Sequence, residues 1–407
     1  MPPALAPYLS FLQSTFPVDS QTVPVESGEF ANQASPNREP MRPSGIWGDP
    51  KRVLVFRTGT LGDTVCAIPA FRLIRRNFPH AELTLLSDMP ARTNVAAWDV
   101  VNSLGIFDYG VGYRTGGKLS TAWELFRIVR KLRPELLIQL PQVNQTSRQL
   151  ASRRRFFDWI GVRNLCGFRA QIHPAEWVPR EADRLIQVLN KEGILGAKPE
   201  YEIPINPDAL ERVNVLAGNL GIDLQRAFLV FCGGGKTATQ RWPLERYAAV
   251  LRILSRDLDL PVIAIGGPRE LKLYRRLVWP AFPDCQIPGD SVSLPELFEL
   301  LRFATAYVGN DTGPMHVAAS VACPVLAIIS ARNRPGLFDP DANQSCLIRH
   351  RTPCEGCRLE ACFENRHRCL LEISVRRVLD ESSAFLKSVI ASERQRRLES
   401  LWNGLAR

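Results

Sequence analysis

The chain has 407 residues, with 51 Lys and Arg against 41 Asp and Glu, a formal charge of +10 and 45% hydrophobic residues. That apolar fraction excludes a disordered chain, the few aperiodic Gly and Pro exclude collagen, and at about 100–200 residues per domain the length predicts two domains, or three. No run of about 18 uncharged apolar residues occurs, and the first residues lack the order of basic, apolar and small residues that marks a secretory signal. The expectation is a cytoplasmic protein whose ten cysteines are mainly reduced thiols.

Residues 1–48 carry scattered Pro, Ser, Gln and Asn without a period, and read as a disordered leader with a short helix near Leu5–Thr15. From Arg52 the character changes. Val53–Phe56 is a continuous apolar run, ended by Thr58-Gly59-Thr60-Leu61-Gly62-Asp63. An amphipathic stretch over Thr64–Asn77 follows, stopped by Phe78-Pro79, and then a second apolar run at Leu83–Leu86. Strand, glycine turn, helix and strand within about 35 residues make a βαβ unit, which implies a parallel sheet covered on both faces. Helix Thr121–Leu132, strand Leu136–Leu140 and helix Leu185–Lys191 continue the alternation.

Residues 201–222 read as a linker region, because Pro204 and Pro207 punctuate a stretch where the rhythm pauses. The pattern restarts with strand Phe228–Phe231, glycines 233–235, helix Leu244–Ser255, strand Val262–Ile265 and the turn Gly266-Gly267. Helix Leu294–Arg302, strand Ala306–Val308, helix Gly313–Ser320 and strand Val325–Ile329 complete it, and a long basic helix over Val375–Leu401 ends the series. The expected fold class is therefore α/β, with two doubly wound domains over 49–200 and 223–375 and a C-terminal basic helix over 376–407. Open parallel sheets bind ligands at the carboxyl ends of their strands, so a ligand is expected in a cleft between the domains.

Three turns could carry chemistry. The first has G-x-x-G spacing and an acid opening its helix, so a dinucleotide fingerprint is disfavoured; Asp63 reads either as a helix cap or as a catalytic carboxylate. The second, Cys232-Gly233-Gly234-Gly235-Lys236 through Arg241-Trp242-Pro243, combines glycines that admit an anion with the cations Lys236 and Arg241. It lacks nucleotide-hydrolase loop spacing, and a flexible loop remains the alternative. The third, Asn310-Asp311-Thr312-Gly313-Pro314-Met315-His316, ends a strand and opens a helix, where two or three free amides can hold a diphosphate without a metal. His316 reads equally as a packed core side chain or a ligand contact.

These blocks, with Pro69-Ala70, Cys166-Gly167-Phe168 and Gly266-Gly267-Pro268-Arg269-Glu270, resemble glycosyltransferase family 9, which contains the ADP-heptose:lipopolysaccharide heptosyltransferases. The resemblance spans roughly residues 51–380. It implies the GT-B arrangement of two facing Rossmann-like domains, and metal-independent inverting transfer of heptose from ADP-heptose to a lipopolysaccharide core or related anionic glycolipid. It also implies Asp63 as general base, Asp311, Thr312 and Gly313 as donor-binding residues, and Glu270 on the nucleotide ribose. Where the family commonly has Lys before the basic-Trp-Pro block, this chain has Gln240, and Lys236, ahead of Arg241, is expected to meet the donor phosphate instead.

Cys354, Cys357, Cys362 and Cys369 fall within sixteen residues, and C-x2-C followed by two more thiols suits a structural Zn2+ site, although the second pair lacks knuckle spacing. The excess of positive charge favours polyanionic partners. No nucleic-acid module accompanies it, so the expected surface is the inner face of a membrane, approached through basic residues that include Arg376, Arg377, Lys387, Arg394, Arg396 and Arg397. Two other readings stay open: the same fold using another nucleotide-sugar for a different surface glycan, and a non-catalytic binding protein built around the cysteine cluster.

Overall fold

The computed structural model describes residues 29–31, 46–89, 96–168 and 180–405, with backbone alone for 29–31 and 393–405. The helix expected near Leu5–Thr15 lies outside these residues. The chain forms two compact units that meet in sequence at Pro204 and Ile205.

The first unit is a six-stranded sheet of β1 (Glu29–Ala31), β2 (Arg52–Phe56), β3 (Glu82–Met89), β4 (Tyr109–Arg114), β5 (Leu136–Gln139) and β6 (Asn164–Cys166), in the order β1-β4-β3-β2-β5-β6. All pairings are parallel except that of β1 with β4. Strand β1 lies inside the stretch read as a disordered leader with one short helix; three residues add one antiparallel edge strand, too short to leave a periodic signal. Helices α1 (Leu61–Asn77) and α2 (Ala97–Val101) follow β2 and β3, α3 (Lys118–Leu132) and α4 (Ser147–Ile160) follow β4 and β5, and α5 (Glu181–Lys191) packs on α1. Right-handed crossovers reverse direction at β2, so α3 and α4 cover the face opposite α1. There Leu125, Val129, Phe156 and Phe157 close over Leu54, Phe56 and Leu137.

The second unit repeats the logic. Strands β7 (Leu229–Cys232), β8 (Val262–Ala264), β9 (Cys285–Gln286), β10 (Ala306–Asn310), β11 (Val325–Ile329) and β12 (Ser345–Arg349) form a parallel sheet in the order β12-β11-β10-β7-β8-β9. The unit opens with α6 (Pro207–Asn219). Helices α7 (Leu244–Leu258), α8 (Pro268–Leu277), α9 (Leu294–Phe303) and α10 (Gly313–Ser320) are the crossovers, and α11 (Arg368–Leu371) leads into α12 (Val375–Leu405), which packs on α7. Helix α6 corrects the linker reading of 201–222. Pro207 is tolerated in the first helical turn, where its missing N–H costs nothing, and Asn206 caps the helix by accepting from Ala209 N at 3.0 Å. The same prolines that suggest a break therefore start a helix. Strand β12 extends the series beyond Val325–Ile329.

The architecture is the GT-B class, two Rossmann-like doubly wound units. Each sheet reverses strand order once: between β2 and β5 in the first unit, and between β7 and β10 in the second. Loops leaving the carboxyl ends of strands diverge at such a point and leave a crevice. The three turns singled out in the sequence all leave these four strands or their helices.

Candidate active site

In the first unit, β2 ends at Phe56 and the chain turns through 57–60 into α1, putting Asp63 in the helix's first turn. Thr60 donates both its backbone N–H and its hydroxyl to Asp63 Oδ2, at 2.8 and 2.9 Å. The cap reading of Asp63 is thus real, and it occupies one carboxylate oxygen; Oδ1 accepts no hydrogen bond among the described residues. The turn is tight enough to demand glycine. Gly59 has φ +142°, and a Cβ there would stand 2.5 Å from Asp63 Cβ.

The turn is held from below by charge. Arg57, 1% exposed, donates to the carbonyls of Leu140 and Pro141 across the switch point (3.3 and 3.1 Å), to the carbonyl of Asp63 itself (3.2 Å), and to Glu181 Oε1 (3.2 Å). Buried Glu181, first residue of α5, also takes a bidentate pair from Arg184 at 2.6 and 2.8 Å. From the other side Asp88 Oδ1 accepts the Gly59 N–H at 3.2 Å, and Gln142 donates to the carbonyl of Thr58 at 3.1 Å. Burial pushes the Asp88 carboxyl above the usual range; the Gly59 N–H opposes the shift, and the nearby Asp63 charge adds to it.

In the second unit the organising side chain is Asn310, the last residue of β10 and fully buried. Its amide donates to the carbonyls of Gly233 and Gly234 (2.8 and 3.0 Å), while Oδ1 accepts from Trp242 N (3.2 Å) and the Tyr247 hydroxyl (2.9 Å). All four hydrogen-bonding positions of the amide are filled. The loops after β7 and β10 are locked together across the switch point. A Cβ on Gly234 would lie 2.7 Å from Glu270 Cγ, and one on Gly235 would lie 3.1 Å from Arg241 Cγ and 3.6 Å from Thr312 Cγ2. The expected donor residues Glu270, Arg241 and Thr312 therefore surround one glycine loop, with Lys236 exposed on it. At the start of α10 the N–H groups of Thr312 and Gly313 bond to nothing among the described residues, and Pro314 has none to offer.

The side chain of Asp311, an expected donor residue, faces away from this loop. Asp311 is buried, and its carboxylate accepts from Asn333 Nδ2 at 3.3 Å, turned towards the loop after β11. Burial pushes its pKa up to about 6, against the pull of Asn333. Gln240 donates to the carbonyl of Asp311 at 2.9 Å and accepts from the Thr237 hydroxyl at 3.0 Å, so it braces the loop. His316 is buried, its ring 6.4 Å from that of Phe338.

Residues 170–367 match the family model described as glycosyltransferase family 9 (heptosyltransferase). The chain is 22% identical over 354 residues to lipopolysaccharide heptosyltransferase 2 of Escherichia coli K12, covering 82% of this chain and 98% of that one. The chain is a glycosyltransferase, heptosyltransferase-like in type. Solved structures agree on the fold. A family 9 glycosyl transferase from Veillonella parvula DSM 2008 superposes with a TM-score of 0.66 at 19% identity, covering 83% of this chain and 98% of that one. The E. coli ADP-heptose lps heptosyltransferase II superposes with a TM-score of 0.61 at 18% identity, covering 83% and 99%.

In this glycosyltransferase the four clustered cysteines line a single cavity of about 320 Å³, together with Thr239, Arg332 and His350. The Cys369 thiol is pushed up by burial and, after an opposing bond from Ala331, by the three other thiols. Yet among the described residues no group of three or more His, Cys, Asp or Glu side chains is arranged to hold a metal ion. The expected zinc site finds no support in this geometry. The x4 and x6 spacings spread the thiols around a cavity, whereas tetrahedral zinc needs sulfurs at about 2.3 Å from one centre. The segment nonetheless touches the loop after β7, because the Thr239 hydroxyl donates to the carbonyl of Leu359 at 2.6 Å.

Sequence reasoning missed Arg57, Glu181, Arg184 and Asn310 as site residues. Asn310 had a signal, a polar side chain ending a wholly apolar strand. Glu181 and Arg184 read in sequence as an ordinary i,i+3 helix pair, and the tie to Arg57, 124 residues away, had no signal.

Proposed function

We propose that the chain transfers heptose from ADP-heptose to a lipopolysaccharide core or related anionic glycolipid by inverting displacement. Asp63 takes the acceptor hydroxyl proton through its free Oδ1 while the acceptor oxygen attacks the anomeric carbon. The glycosidic electron pair leaves with ADP. The charge growing on the leaving diphosphate is met by the N–H groups of Thr312 and Gly313 and by Lys236, with Arg241 beside it, and no step calls for a metal. Glu270 accepts from the ribose hydroxyls, and Asp311 supports the donor turn through its backbone. The work is expected on the cytoplasmic side of a membrane; no helix among the described residues is long and apolar enough to cross one.

The observation that carries this reading is the division of chemistry between the two switch points. One offers a carboxylate with a free oxygen at the head of α1. The other offers free amides and exposed cations, with the Asp311 carboxylate turned away. The deciding experiment incubates the protein with ADP-heptose and a heptose-deficient core acceptor, and analyses the product by mass. A product heavier by one heptose, absent with Asp63→Ala, is expected; an unchanged acceptor with every heptose donor rejects the reading.

Gln240 favours a second reading, a different nucleotide-sugar, because the usual phosphate-facing Lys is replaced by a loop brace. Thermal shift with ADP-heptose against UDP- and GDP-sugars separates the two.

A further inference from the structure

We infer that helices α3 and α4 of the first unit form a docking face for an anionic phospholipid bilayer. On α3, Leu119, Trp123 and Phe126 fall at helical spacing along one stripe, and Trp123 is 62% exposed. Phe126 stacks on Trp123 with ring centroids 5.4 Å apart, and meets Trp159 of α4 at 5.6 Å; Trp159 is 47% exposed. Monomeric surfaces seldom show large aromatics grouped in this way, and Trp is the side chain favoured at the boundary between lipid headgroup and acyl chain.

Charge selects the occupant. The two helices carry eight Lys and Arg against Glu124 and Asp158, and of the eight only Arg153 is buried. Arg127 and Arg130 stand exposed beside the aromatic stripe, and Arg155 one turn before Trp159. A second copy seated here through a two-fold axis would set this positive face against itself, which like-charge repulsion opposes. An aromatic ledge inside a cationic field instead matches a bilayer rich in anionic headgroups, where insertion and attraction add.

The basic C-terminal helix is the weaker seat. In its described part Arg377 pairs with Glu381 at 2.7 Å and Arg376 faces Asp380 at 3.9 Å, so its charge is largely compensated on its own helix. Helices α3 and α4 begin at the carboxyl edge of the strands, the edge that also carries the Asp63 turn. Docking along them would hold that edge near lipid-anchored acceptors. This purpose rests on the proposed glycolipid acceptor; the docking itself does not.

Co-sedimentation with vesicles of phosphatidylglycerol and phosphatidylethanolamine tests it, with phosphatidylcholine vesicles as control. The full chain is expected to sediment with the anionic vesicles only, and to be released by high salt. Trp123→Ser/Trp159→Ser should reduce the bound fraction tenfold or more. Arg127→Gln/Arg130→Gln/Arg155→Gln should do the same and flatten the salt dependence, whereas Arg376→Gln/Arg377→Gln should bind as the parent does. Exposed positions should leave the melting temperature within about 2 °C; if the tryptophan variant unfolds, the arginine variant decides alone. No binding by the parent, equal binding to phosphatidylcholine, unchanged binding by the α3–α4 variants, or a dimer abolished by the tryptophan variant would each overturn the inference. Transfer to a delipidated, soluble acceptor should be unaffected in all of them. Failure of that transfer with vesicle binding intact removes the proposed function and leaves the docking face standing.

Discussion

The two switch points solve the same mechanical problem with opposite chemistry. In the first unit two loops are joined by a buried cation, Arg57, paired with Glu181, which also holds Arg184. In the second they are joined by the neutral amide of Asn310. A buried ion network fixes geometry but depends on every member being present, because any one left alone is an uncompensated charge in a poor solvent. A neutral hub adds no field of its own, so Lys236 and Arg241 keep their full attraction for a diphosphate. On the proposed function, the ion network suits a turn that must only hold a carboxylate still, and the neutral hub suits a loop that would receive an anion.

The sharpest way to break this comparison is at the carboxylate. Asp63→Ala is expected to lower kcat by roughly 10²–10⁴-fold with both substrates saturating, whereas Asp63→Asn, which keeps an acceptor for Thr60, should be as inactive but fold normally. Equal activity in either variant would leave the first switch point without a chemical role.

Next in size is the ion network. Glu181→Ala strands two buried guanidinium groups and should destabilise the protein by about 3–5 kcal/mol in denaturant titration. Asn310→Ala orphans two carbonyls, a backbone N–H and a tyrosine hydroxyl; a loss of about 2–3 kcal/mol, with weaker nucleotide binding, is expected. A Glu181→Ala loss no larger than that of Asn310→Ala would erase the distinction between charged and neutral hubs.

Asp311 gives a pH signature. Its folded pKa of about 6 lies above the ordinary 3.8, so the native state holds the proton more tightly than the unfolded chain. That contribution to stability is full below pH ~4 and is lost as pH rises through about 6, a fall on the order of 2–3 kcal/mol. Asp311→Asn should remove this slope, and urea midpoints measured at pH 4, 5, 6 and 7 will show whether it does.

The smallest effects separate the loop cations from their brace. Lys236→Ala should raise KM for the donor about tenfold or more through loss of a charged phosphate contact, while Gln240→Ala, which releases only the Asp311 carbonyl and Thr237, should cost less. The reverse ranking would give Gln240 the phosphate.

The alternation of apolar runs and glycine turns is a local property, so the sequence shows both parallel sheets and the positions of most strands and helices. Gly313–Ser320 and Val325–Ile329 fall where the pattern places them. Short elements such as β1 and β6 escape, because three residues cannot display a period. Candidate site residues are legible where the chemistry is local to one turn, as at Asp63, Thr312 and Gly313.

What the amino-acid string determines by itself is thus the doubly wound class, the carboxylate at the head of α1 and the anion-ready turns, since each depends on neighbours a few positions away. Only the folded chain decides that Arg57 is buried against Glu181, that Asn310 ties two loops, that Asp311 turns inward and that four cysteines line a cavity without converging. Those outcomes depend on which distant groups share a low-dielectric space. Spacing along a chain carries no information about desolvation.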